Sequence, residues 1–158
     1  MNYLIREKSL LRAISDRYKD KPREEKDAEF DKITDLLTGL VRGYSNSVEQ
    51  TISKMFGKSV DDTGDPVDPI CSIMYDINSM CIEYGVDPMF PEAEGKPDRK
   101  EVANALNEYI AQIGAVDRHS RQAFEKAVET KDYEEYDRLR DYLTENIEEI
   151  LKKDRSEQ

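Results

Sequence analysis

Few groups in the chain could do covalent or acid–base chemistry, and their spacing decides how far each can be taken. The single histidine, His119, stands in the run Asp117-Arg118-His119. A general base needs an oriented partner and a nucleophile within reach. Neither is placed by the sequence, so His119 reads as a helix-surface residue. The two cysteines, Cys71 and Cys81, fall ten residues apart in one expected helix, which corresponds to about 15 Å of rise. A disulfide needs Cα atoms within about 7 Å, so these two cannot pair along a straight helix. They read as small buried hydrophobes. The glycines form neither GxxxxGK[ST] nor GxGxxG, the patterns that cradle phosphates. These residues lead to no expectation of a catalytic residue, metal ligand or cofactor.

Carboxylates are the abundant chemistry. Asp61, Asp62, Asp65 and Asp68 cluster in one stretch, and calcium is the first ligand to test against them. Aligned on an EF-hand loop starting at Asp61, the sixth position is Pro66 and the twelfth is Ser72. That loop needs Gly and a bidentate Glu at those places. The cluster therefore reads as a solvated acidic loop. Glu134/Asp137 and Glu145/Glu148 have helical pair spacing, but they share one expected helix and cannot face each other across a site. The stretch from Met74-Tyr75-Asp76 to Tyr84-Gly85-Val86-Asp87-Pro88 resembles the last metal-binding helix and following turn of the all-α nucleoside triphosphate pyrophosphohydrolases. That resemblance implies Mg²⁺ held between facing acidic helices, with Asp76 as the candidate carboxylate. The family's ExxE pair has no counterpart in the C-terminal half of the preceding helix. A Mg²⁺-dependent hydrolase is thus the alternative expectation.

The surrounding composition says what scaffold must carry these groups. Of 158 residues, 37% are hydrophobic and 37% charged, with a mean hydropathy of −0.82. Helices with a narrow apolar stripe and a wide solvated face satisfy that balance. The net charge of −11 is uneven. Residues 58–98 hold 2 basic and 10 acidic side chains, a net of −8, whereas residues 1–57 are close to neutral. Phosphate is repelled by such a surface, so direct nucleic-acid binding is not expected. No run approaches the roughly 18 apolar residues needed to span a bilayer. Charges interrupt the N-terminal apolar stretch, unlike a secretory signal. A cytoplasmic location without membrane association is the expectation.

Apolar spacing of three and four predicts five helices. The first covers 3–19 and ends before Pro22. The second runs from about residue 23 to 56 on the stripe Phe30, Ile33, Leu37, Leu40, Tyr44, Val48, Ile52 and Met55. It passes Gly39 and Gly43, whose spacing would let another helix approach closely. Residues 57–68 form a loop. Asp68-Pro69 starts a third helix, the most apolar, which Gly85 stops. Residues 86–98 form a second loop that packs back through Val86, Met89 and Phe90. Asp98 with Glu101 caps a long fourth helix that crosses Gly114, and Asp132 with Glu135 caps a fifth reaching about Lys152. The expected architecture is all-α: one domain over 1–158, an elongated bundle of about five helices, two of them long, with 154–158 frayed.

The functional expectation is a non-enzymatic acidic interaction protein. Its class would include inhibitors that mimic nucleic acid, immunity proteins and adaptors. Acidic side chains around an apolar anchor suit a basic protein partner, because charge steers the encounter and the buried anchor supplies affinity. Asp61, Asp62, Asp65, Asp68, Met89, Phe90, Glu92 and Glu94 are the expected partner-binding residues. Apolar stripe left over by helices of unequal length would also be open to a second copy, which makes a homodimer a further expectation.

Overall fold

The computed structural model describes residues 1–55 and 67–156, and the side chains of 1–44 and 69–156. Among these residues there is no strand. Six α-helices follow in order: α1 (Tyr3–Arg17), α2 (Arg23–Met55), α3 (Val67–Glu83), α4 (Arg99–Thr130), α5 (Tyr133–Glu145) and α6 (Ile147–Ser156). One 3₁₀ turn, Pro91–Ala93, interrupts the connection between α3 and α4. The all-α class is therefore as expected, with one more helix than the periodicity predicts. None of the described helices is long and apolar enough to cross a membrane.

The extra helix comes from Asn146, where the expected fifth helix breaks in two. Its backbone N–H donates to the carbonyl of Tyr142, and its side-chain amide donates to that carbonyl as well. The doubled bond holds Asn146 at φ −112°, ψ 20°, outside helical geometry. The apolar stripe continues through Leu143, Ile147 and Leu151, so periodicity alone cannot reveal the break. One further expectation needs correction. Asp132 makes no side-chain cap on α5: Lys131 sits at φ 58°, in the left-handed region, and swings the chain so that Asp132 arrives at ψ 87°. Near the end of α6, Asp154 accepts from His119 Nε2 at 3.1 Å and Arg118 Nη2 at 3.3 Å.

Length predicts one domain; the chain groups into two compact units, both of which draw on α1 and α4. The first contains residues 1–7 and 108–158. Its buried side chains include Tyr3, Leu4, Tyr109, Val116, Leu143, Ile147 and Leu151. Buried Gln112 holds the start of α1 there. Its Oε1 accepts from the backbone N–H of Tyr3 at 3.0 Å, and its amide donates to the carbonyl of Met1 at 2.6 Å. Asn2 Oδ1 caps the helix by accepting from Ile5 N at 3.1 Å. Tyr3 meets Tyr109 edge to face at 6.5 Å, and the Tyr109 hydroxyl donates to Glu7 at 3.5 Å. Burial pushes the Glu7 carboxyl above its usual value, offset in part by the Tyr109 hydroxyl and the Arg140 charge.

The second unit, residues 8–107, is built on α2 and α3. Helix α2 is continuous past both glycines, and the reason lies on α3. A Cβ at Gly39 would stand 3.3 Å from Ile73 Cδ1, and one at Gly43 would stand 3.1 Å from Ile70 Cγ1. The missing side chains admit those isoleucines, which confirms the close approach expected of the pair. Because 43 lies against 70 and 39 against 73, the two helices run antiparallel. Helix α3 starts at Val67, so Asp68 lies inside its first turn instead of capping it. Its end is as expected: Gly85 adopts φ +73°, and the Gly85 and Val86 N–H groups bond back to Ile82 and Cys81 at 3.1 and 3.0 Å.

Two measurements test this packing. Gly43→Leu forces a branched side chain into Ile70 and should lower stability by about 1–3 kcal/mol, read as a lower urea midpoint at constant slope. For Glu7, the raised folded value means that its contribution to stability is full below the ordinary 4.5 and is lost as pH rises through the folded value. Glu7→Gln, which keeps an acceptor for Tyr109, should therefore raise Tm at neutral pH and leave it nearly unchanged in mild acid.

Candidate functional site

The antiparallel register of α2 and α3 sets up a concave feature of the second unit. Past the glycines, where both helices carry full side chains, they leave a groove of about 420 Å³. It is lined by Lys32, Asp35 and Leu36 from α2 and by Asp76, Ser79, Met80 and Glu83 from α3. Leu36 and buried Met80 give it an apolar floor. Three carboxylates and one ammonium stand around that floor. Glu83 is partly engaged, 3.8 Å from the Arg17 guanidinium, which also donates to the Glu83 carbonyl at 2.7 Å and stacks 3.8 Å over the Tyr84 ring. Asp35 and Asp76 are exposed and form no ion pair among the described residues.

Beside the groove, α3 presents Tyr75 at 56% exposure and Ile82 at 63%. Seven residues apart, they lie two helical turns from one another on the same side. The sequence singles out Asp76, but not Asp35, Glu83 and Ile82 beside it. The signal was available only as register: the Gly39/Gly43 spacing says that a helix comes close without saying which one or in what direction.

Loop 86–98 is positioned by one buried side chain on α3. Asn78 is fully buried. Its amide donates to the Phe90 carbonyl at 2.7 Å, and its Oδ1 accepts from the Phe90 N–H at 2.9 Å. The side chain thus pairs with Phe90 as a neighbouring strand would. The same amide donates to Glu94 Oε1 at 3.1 Å. Met89 and Phe90 consequently lie wholly inside the core. The packing-back of this loop is as expected, whereas an anchoring contact from either ring or thioether to a partner is not available in this arrangement.

The remaining expected residues divide as follows. Glu92 is half-buried in the 3₁₀ turn, and Glu94 is exposed but tied to Asn78. Asp61, Asp62 and Asp65 lie outside the described residues, and so does the side chain of Asp68. Cys71 and Cys81 both lie on α3 and form no disulfide, Cys71 half-buried and Cys81 buried. His119 is at the surface against Asp154, whose carboxyl that contact holds below its usual value. Among the described residues no three His, Cys, Asp or Glu side chains converge closely enough to hold a metal ion. Asp76 lines the groove together with Asp35 and Glu83. No family model, curated protein or solved structure matches the chain.

Removing the Asn78 contacts gives a direct test of how the loop is held. Asn78→Ala leaves the buried N–H and carbonyl of Phe90 without these partners and should cost about 2–5 kcal/mol. Amide exchange over residues 86–98 should accelerate more than over α3. Uniform acceleration would show that the loop is held by its apolar contacts instead.

Proposed function

We propose that the chain is an acidic interaction protein that docks a basic protein partner through the α2–α3 groove and through the acidic segment 58–98. The supporting observation is that the open carboxylates of Asp35 and Asp76 line one groove, while the helix that carries Asp76 also exposes Tyr75 and Ile82 on an adjoining face. Each half supplies what the other lacks. Exposed carboxylates in water gain little from a single ion pair, but their summed field accelerates encounter and rejects acidic competitors. Aromatic and aliphatic groups at the centre of a contact supply most of the affinity once they are desolvated. Residues 58–98 carry a net charge of −8, and Asp61, Asp62, Asp65 and Asp68 belong to that segment.

The finer form of this reading is a partner that handles nucleic acid, whose basic channel accepts carboxylates where phosphates would sit. An acidic inhibitor, immunity protein or adaptor works in that way. Direct nucleic-acid binding by this chain is disfavoured by the same charge.

The test is capture at low and moderate salt, identification of what is retained, and reconstitution with the purified partner. Reversing Asp35, Asp76 and Glu83 to Lys should leave helical circular dichroism intact and weaken the reconstituted complex by about tenfold or more. A parallel reversal of Asp61, Asp62 and Asp65 weighs the loop against the groove. If both triple variants bind the reconstituted partner as the parent chain does, the acidic surface is only solubilising and the proposal fails.

A further inference from the structure

From residue 117 to 142, through the end of α4 and most of α5, only Ser120 and Ala127 are buried. Helices draw most of their stability from a packed apolar face, and two small side chains provide little of one. Yet four of the nine large apolar side chains exposed among the described residues fall in this stretch: Phe124, Val128, Tyr133 and Tyr142. Phe124 and Val128, at 49% and 50% exposure, lie one turn apart on one face of α4. Tyr136 of α5 borders that face, its ring 5.5 Å from that of Phe124.

The charges around the face decide what fits it. Residues 117–142 hold six basic and eight acidic side chains, so neither a strongly basic nor a strongly acidic partner is selected. The signs are instead ordered along α4. Arg121, Glu125 and Glu129 form one row at four-residue spacing beside the apolar pair. All three are exposed and form no ion pair among the described residues. A row that runs from cation to anion is matched by the same row read in the opposite direction. Two copies of α4 crossed antiparallel about a two-fold axis set Phe124 of each against Val128 of the other. Arg121 of each then comes within a turn of the other copy's Glu129. Parallel pairing would set like charge against like.

We infer that the Phe124–Val128 face of α4 joins two copies of this chain in an antiparallel pair, with Arg121 and Glu129 as its reciprocal charges. The face belongs to the first unit and uses none of the groove residues. With one exposed Phe and one exposed Val per copy, the contact belongs at the small end of protein interfaces, so the dimer forms reversibly with concentration.

The test is sedimentation equilibrium of the full chain over about a hundredfold range of concentration. The mass should rise from monomer toward dimer. Val128→Glu, at an exposed position, should stay monomeric throughout while helical circular dichroism is unchanged. Arg121→Glu and Glu129→Arg should each weaken self-association by about tenfold, since two attractions become two repulsions. Mixed in equal amounts, these two variants should regain the parent association, because each supplies the charge the other lacks. A monomer at every concentration would overturn the inference and leave the face to a different protein. A dimer that survives Val128→Glu would place the contact elsewhere and overturn it too. A dimer that Val128→Glu abolishes, but that mixing the charge variants does not restore, would overturn the antiparallel order.

Discussion

The close approach of α2 and α3 is the constraint on which the rest of the second unit depends. Two glycines, four apart on one face of a 33-residue helix, admit Ile73 and Ile70 to contact that a Cβ would already crowd. Each glycine in a helix interior carries a propensity penalty of about 1 kcal/mol relative to alanine. The compensation is the buried isoleucine face opposite. Register follows from the same contact. Once 43 meets 70 and 39 meets 73 in antiparallel order, residues 36 and 32 must come level with the stretch 76–83. The carboxylates of Asp35, Asp76 and Glu83 are brought around one groove by that geometry, not by any attraction among themselves.

What lies at the groove rim is electrostatically unfinished. Lys32 is the one cation among the lining residues, against three carboxylates, and Arg17 reaches only Glu83. Surface carboxylates of this kind hardly stabilise a fold, since water and salt screen them. Their effect is exerted at a distance, on whatever approaches. The exposed apolar pair on α3 has the opposite range, acting only on contact. Tyr84, by contrast, shows how the same residue types look when they serve structure. Its ring lies under Arg17, its hydroxyl donates to Glu29 at 2.8 Å, and it is buried to 7% exposure. The difference between Tyr84 and Tyr75 is one of satisfaction: one ring is packed and hydrogen-bonded, the other is 56% exposed.

The fold was legible in the sequence to the extent that apolar spacing determines it. The stripe through Ile33 and Leu40, the stop at Gly85 and the cap at Asp98, which accepts from Lys100 N at 2.8 Å and Glu101 N at 3.2 Å, all follow from local rules. Local rules failed where a polar side chain is satisfied at long range. Asn78 reads as an ordinary helix residue beside Ile77, yet it is buried because its partner lies twelve residues ahead in the loop. Gln112 is buried because it finds backbone groups more than a hundred residues earlier. Asn146 breaks a helix through a bond that its composition permits at any position. The groove was partly visible, through Asp76 and the glycine pair, but its assembly depends on antiparallel register, and periodicity carries no information on which helix faces which.

Asn78 also links the two halves of the acidic region in a way that charge alone would not. Its amide is shared between the Phe90 carbonyl and the Glu94 carboxylate, so the donor that fixes the loop backbone also fixes one of the loop's anions. A carboxylate accepting from a buried amide has a defined direction, whereas one on a free loop explores many, and the ordering entropy for such a side chain amounts to about 1–2 kcal/mol. Because Asn78 belongs to α3, next to Ile77 and one turn from Met74 and Ile82, Glu94 is held by the same helix that carries Asp76 and Glu83. Loop and helix therefore share one rigid support: the core formed by Met74, Ile77, Met80, Met89 and Phe90. An acidic surface meant only to keep a chain in solution gains nothing from such support, since solubility depends on net charge and not on where each charge points. The directions of these anions are set by the packed core, and on the reading proposed above that fixed pattern is what a basic partner would meet.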